Sequence, residues 1–136
     1  MNAGKATELQ VATWFLEAEW NVYLPLVDSD QIDLVVVDPK TKRLWSLQVK
    51  HSERQSRNPG FLDLRRRHSI LGFDYLVFYV PAIKRGVILP RKRVKPGHVL
   101  VFVNPRTMTI KPAFSQYAFD HNNFVSKFAT MVTEHE

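Results

Sequence analysis

The 136-residue sequence contains no cysteine, which excludes disulfides, zinc–thiolate sites and thiol nucleophiles. Any hydrolytic chemistry must therefore use carboxylates, hydroxyls, histidine or lysine, with or without a hard metal. No apolar stretch approaches the roughly 20 residues needed to cross a bilayer. The first twenty residues carry Glu8, Glu17 and Glu19, where a secretory signal has a basic start and an apolar run. The expected location is the cytoplasm, with no membrane partner. No internal repeat, low-complexity stretch or linker divides the chain, and its length fits one continuous core but is short for two.

Acidic residues are scarce in one part of the chain only. Residues 39–112 hold seventeen bases against the three acids Glu53, Asp63 and Asp74, whereas residues 1–38 hold Lys5 against seven acids. A middle segment so one-sided is built to meet an anion, and a phosphate backbone is the commonest such partner. The composition is otherwise that of a globular domain, 45% hydrophobic and 24% charged.

The segment ATELQVATWFLEAEW has helical spacing, with Val11, Ala12, Phe15 and Leu16 on one stripe and Glu8 one turn ahead of Ala12 on the same stripe. A carboxylate there is costly unless satisfied, or else it sits in the first turn and complements the helix dipole. Three extended segments follow (21–27, 32–38 and 43–50), joined by the turn-like DSDQ and DPKTK, which predicts an antiparallel meander. RNPGFLDLRRRHSILG predicts a helix with Asn58 as N-cap, Pro59 in its first turn, Gly72 past its end and Phe61, Leu64 and Leu71 on one face. DYLVFYVP is apolar on both faces, as a covered central strand requires. GVILP and HVLVFV read as further strands, and Asp120 as the cap of a closing helix bearing Phe124, Val125, Phe128, Met131 and Val132. Trp14, Trp20 and Trp45 are expected in the core.

LWSLQVK ends in Gln48 and Lys50, which share one face of a strand while Leu47 and Val49 share the other. Taken alone this describes a strand surfacing into water. In a hairpin closed by residues 39–42, however, Asp33 at the start of the second strand lies beside residues 48–50 at the end of the third. A helix packed on that face brings Glu8 to the same spot. Oxygen ligands of this kind suit Mg²⁺, with Mn²⁺ as a substitute, and a neighbouring lysine can orient or deprotonate water or stabilise charge on a scissile phosphate. The chemistry indicated is metal-assisted phosphodiester hydrolysis, which agrees with the basic middle segment.

GKATELQVATWFLE, DSDQIDLVVVD and LWSLQVKH, in that order, resemble the PD-(D/E)XK nuclease superfamily. The resemblance covers about residues 4–90 and implies a core in that range with a C-terminal elaboration over about 91–136. It implies a single-domain, restriction-endonuclease-like α/β fold: an αβββαβ core with a mixed central sheet flanked by helices, plus extra C-terminal strands and a helix. Glu8 is similar to the helix-one glutamate, Asp33 to the metal-binding aspartate and Lys50 to the motif lysine. Gln48 stands where the family usually has Asp or Glu, and this Q-x-K variant is similar to that of a group I intron homing endonuclease. The arrangement also resembles archaeal Holliday-junction resolvases.

The implied activity is Mg²⁺-dependent DNA endonuclease, with metal ligands Glu8, Asp33 and Gln48 and with Lys50 at the nucleophile. The alternative is an inactive module of the same fold that binds nucleic acid or mediates assembly, because Gln48 supplies no charge. DNA is the expected partner, with RNA left open. Arg65, Arg66 and Arg67 on the second helix, and Arg91, Lys92, Arg93 and Lys95 on a loop, are the expected phosphate contacts. One active site cuts one strand, so double-strand cleavage implies a homodimer or higher homo-oligomer. Ser46 has no evident partner, and a serine-nucleophile mechanism is unsupported.

Overall fold

The computed structural model describes residues 3–26, 31–52, 60–65 and 72–134. A first helix α1 (Ala3–Glu17) leads into β1 (Asn21–Tyr23), β2 (Leu34–Val37) and β3 (Leu44–His51), which form the expected antiparallel meander. Strand β4 (Phe61–Asp63) departs from this sheet, and β5 (Tyr75–Val80) returns to pair parallel with β3. Then follow β6 (Arg85–Pro90), β7 (Val99–Val101), β8 (Val103–Asn104), β9 (Thr109–Ile110), β10 (Ala118–Asp120) and α2 (Phe124–Glu134). The central sheet runs β1-β2-β3-β5-β6-β10, and the β3–β5 pair is parallel in an otherwise antiparallel set. This is the expected mixed α/β architecture, with helices flanking a mixed sheet and further strands and a helix towards the C-terminus.

Side chains alternate across β5, so Tyr75 and Val77 enter one core cluster while Leu76, Phe78 and Val80 enter another. On the helical face, α1 and α2 bury Val11, Phe15, Phe124 and Phe128 against Leu34, Val36, Leu47 and Val49. Nine aromatic rings of the described residues meet there, including Phe15 edge-on to Phe124 and Phe128 at 5.2 and 5.3 Å, and Trp14 edge-on to Tyr79 at 5.2 Å. On the other face, the ribbon pairs β4–β7 and β8–β9 cover β5 and β6 through Leu62, Leu64, Phe102 and Val103.

The segment from residue 91 onward therefore supplies β10 to the central sheet and α2 to the helical layer. Gly86 allows β10 its close approach, since a Cβ there would fall 2.8 Å from the Phe119 ring and closer still to the Phe78 carbonyl oxygen. No helix among the described residues is long and apolar enough to cross a membrane.

Three local expectations fail. Phe61–Asp63 is a strand, not the first turn of a helix: Leu62 and Leu64, two residues apart, are the buried pair, while Phe61 is 40% exposed. Asn58, Pro59 and Leu71 lie outside the described residues. Leu16 belongs to no buried stripe and is 57% exposed, because α1 rests on the sheet through the narrower row of Val11, Ala12 and Phe15. Asp120 ends β10, and its carboxylate accepts the Asn122 amide hydrogen in a turn; α2 starts at Phe124, with its buried row of Phe124, Phe128, Met131 and Val132 as expected.

Candidate metal and nucleic-acid site

Strand β2 leaves its ladder at Asp33. The Asp33 amide donates to the Leu47 carbonyl at 2.8 Å, and the Asp33 carboxylate then accepts the Val49 amide hydrogen at 2.7 Å. A side-chain oxygen thus takes the donor for which the departing backbone offers no carbonyl, a charge-assisted bond that fixes the carboxylate on β3 between Gln48 and Lys50. The Leu34–Leu47 register, continued by one residue, sets Asp33 opposite Gln48.

Glu8 reaches this point from the first half of α1, close enough for the Asp33 carboxylate to act on its carboxyl. Burial pushes the Glu8 carboxyl above the usual carboxylate range and the neighbouring Asp33 charge adds to the rise, while Lys5 opposes it. The Lys5 ammonium lies 3.3 Å from Glu8 Oε2, one helical turn back. Sequence reasoning assigned Lys5 no role at the site, although its i,i+3 spacing to Glu8 was there to be read.

Gln48 is buried, with 6% of its surface exposed, and Lys50 is half-buried two residues further on. Both lie on the ribbon face, in register with Leu76 and Phe78, beside the ground that the ribbons cover. The expectation that α1 packs on this same face is incorrect. The helix buries the apolar Leu47 and Val49 on the opposite face, since Gln48 and Lys50 offer it nothing to bury. Glu8 meets Asp33 where β2 has left the ladder, at the edge between the two faces, whereas Gln48 and Lys50 project on the ribbon face.

Among the described residues no three His, Cys, Asp or Glu side chains cluster as a metal site. Two neighbouring carboxylates, with an amide side chain in register opposite one of them, nonetheless offer oxygen donors of the type that suits Mg²⁺ or Mn²⁺. Two like charges brought this close are eased by protonation of one of them or by a cation beside them, and the Lys5 ammonium already lies 3.3 Å from Glu8.

Of the expected phosphate contacts, Arg65 is exposed but held in a fork by Asp63, at 3.0 and 2.8 Å. It follows β4 in a turn and lies on no helix; Arg66 and Arg67 fall outside the described residues. Arg91, Lys92 and Arg93 form one exposed 3-10 turn after β6, tied by the Arg91 amide to the Asp74 carbonyl at 3.0 Å and anchored by buried Val94. Lys95 is exposed just beyond. Pro90 pairs with Tyr75, and Tyr75 with Leu47, so this basic turn lies two strands across from the Gln48 end of the site. Lys84 and Arg85 lie past its other end, since Arg85 pairs with Val80 two residues beyond Phe78, the partner of Lys50.

Ser46 does have a partner. Its amide and hydroxyl both donate to Asp74 Oδ2, at 2.9 and 3.1 Å, and the Asp74 amide returns to the Ser46 carbonyl at 2.8 Å. This clasp fixes the start of β5 against β3.

No protein-family model and no curated protein sequence matches the chain. Its fold is similar to the solved structure of a bacterial homing endonuclease, I-Ssp6803I, with a TM-score of 0.62 over 97% of this chain and 94% of that one, at 21% identity.

Proposed function

We propose that this protein is a metal-dependent DNA endonuclease of the PD-(D/E)XK type in its Q-x-K form. The observation that carries this reading is the carboxylate pair: Glu8 beside Asp33, with Asp33 held on the Val49 amide between Gln48 and Lys50. The fold shared with a homing endonuclease supports DNA as the substrate.

In this reading Asp33 and Glu8 hold the cation and Gln48 offers a neutral amide oxygen. A cation held there would supply an activated water and would offset charge gathering on the scissile phosphate. Lys50 orients the attacking water and stabilises the charge on phosphorus. Arg91, Lys92, Arg93 and Lys95 grip the phosphate backbone along one end of the sheet, with Arg65, Arg66 and Arg67 as further contacts. Cutting both strands calls for two copies acting together. The whole chain acts as one nuclease domain, with its core at about 4–90 and an elaboration over about 91–136.

Incubation with plasmid and branched DNA in Mg²⁺ or Mn²⁺ tests the reading. The wild-type chain is expected to cut, and cutting that survives both Asp33→Ala and Lys50→Ala rejects the mechanism. The neutral Gln48 favours a second reading, a nuclease fold that binds nucleic acid without cleaving it. Salt-sensitive DNA binding, unchanged by Asp33→Ala and without cleavage in any metal, selects that alternative.

A further inference from the structure

We propose that Lys5 is a built-in competitor of the metal, a resident cation that holds Glu8 and must release it before a divalent ion binds. The inference rests on the metal-site reading above and adds a residue that reading does not use.

Three observations carry it. The Lys5 ammonium is 3.3 Å from Glu8 Oε2, and that carboxyl neighbours the Asp33 carboxylate. Asp33 is fixed, because its Oδ2 holds the Val49 amide at 2.7 Å, so the pair cannot relieve its repulsion by moving Asp33 away. Finally, the two ends of the ion pair differ in freedom: the Lys5 side chain is 52% exposed and that of Glu8 only 21%. A divalent ion between the carboxylates meets the ammonium as a like charge at close range, so Glu8 serves one cation or the other. Lysine is suited to leaving. It is a point charge on a flexible four-carbon stem, with no planar fork to lock it in place. The consequence is a site whose affinity for metal in the free protein is set below what its carboxylates alone would give.

Calorimetric titration of the full chain with Mn²⁺, without DNA, tests this directly. Lys5→Met removes the charge and keeps the stem, and is expected to tighten Mn²⁺ binding by about threefold, the equivalent of one partly exposed ion pair. Lys5→Arg keeps the charge and adds the planar fork, and should bind Mn²⁺ no more tightly than the wild type. Lys127→Met makes the same change in net charge on α2 and should also leave binding unchanged. Equal or weaker binding by Lys5→Met overturns the proposal, and so does an equal gain in Lys127→Met, which would make the effect one of net charge. A wild type that binds no Mn²⁺ overturns the metal-site reading itself, and this inference with it. Wild-type binding that is lost in Asp33→Asn but indifferent to Lys5 rejects this inference alone. Melting temperatures of the variants, expected to stay within a few degrees of one another, separate a binding effect from damage to α1.

Discussion

The two faces of the central sheet are made by the same strands and have opposite characters. Under α1 and α2, β3 presents Leu47 and Val49 to a layer of interlocked aromatic rings. On the other side the ribbons cover β5 and β6, and the neighbouring positions on β3 are Gln48 and Lys50. Because side chains alternate, one strand serves both faces: Leu47 and Val49 pack the helical core while Gln48 and Lys50 stand polar on the other side. Substitutions on the two faces should therefore fail in different ways.

The sharpest contrast lies within β3. Lys50→Ala should lower the cleavage rate by about 10²–10⁴-fold, the usual worth of a positioned proton-handling group, while leaving the melting temperature near that of the wild type. A variant that cuts normally, or one that unfolds, removes the distinction between the faces. Phe128→Ala does the reverse. It empties a fully buried position among Phe15, Tyr75 and Phe124 and should cost about 3–5 kcal/mol, a large share of the ~5–15 kcal/mol typical of a domain. Denaturant titration measures it, with DNA cleavage per folded molecule expected to stay unchanged.

Gln48→Glu sharpens the comparison at its boundary. With a chelator present the new carboxylate enters a buried position beside Asp33 and should destabilise the fold. With Mn²⁺ it adds a third anionic ligand and should raise metal affinity on the order of tenfold. A destabilisation that Mn²⁺ does not reverse would mean that Gln48 does not face the cation.

The smallest expected effect is on pH dependence. The Glu8 carboxyl is raised above 4.5 by burial and by the Asp33 charge, so the folded state binds more protons than the unfolded between 4.5 and the raised value. Stability from this group is present below that window and is lost as pH rises through it. Glu8→Gln should flatten that loss in metal-free urea titrations from pH 4 to 7, and an unchanged slope would show that neither burial nor the Asp33 charge raises the Glu8 carboxyl.

Much of this contrast was legible in the chain. The apolar run of β5 announced a strand covered on both sides, and the short connection at 39–42 set Asp33 beside 48–50 by antiparallel register alone. The face that α1 covers was not legible, because Glu8 lies on the same stripe as Ala12 and drew the helix towards the polar side in sequence. Only the departure of β2 from its ladder reconciles a helix on one face with a carboxylate at the edge of the other. Strand β4 was hidden for a similar reason: FLDL satisfies both a helical stripe, through Phe61 and Leu64, and an alternating one, through Leu62 and Leu64. Its pairing with β7, some forty residues later in the sequence, decides between them. The Ser46–Asp74 clasp spans 28 residues, and no local pattern encodes it.

The Val49 amide, held by a carboxylate in place of a backbone carbonyl, makes one nitrogen of the main chain a spectroscopic witness to the site. Any ion that draws on Asp33 must alter the electron density at that acceptor. The ¹⁵N–¹H resonance of Val49 will then shift with metal occupancy, while the amide of Leu76, embedded in the neighbouring strand, keeps its place.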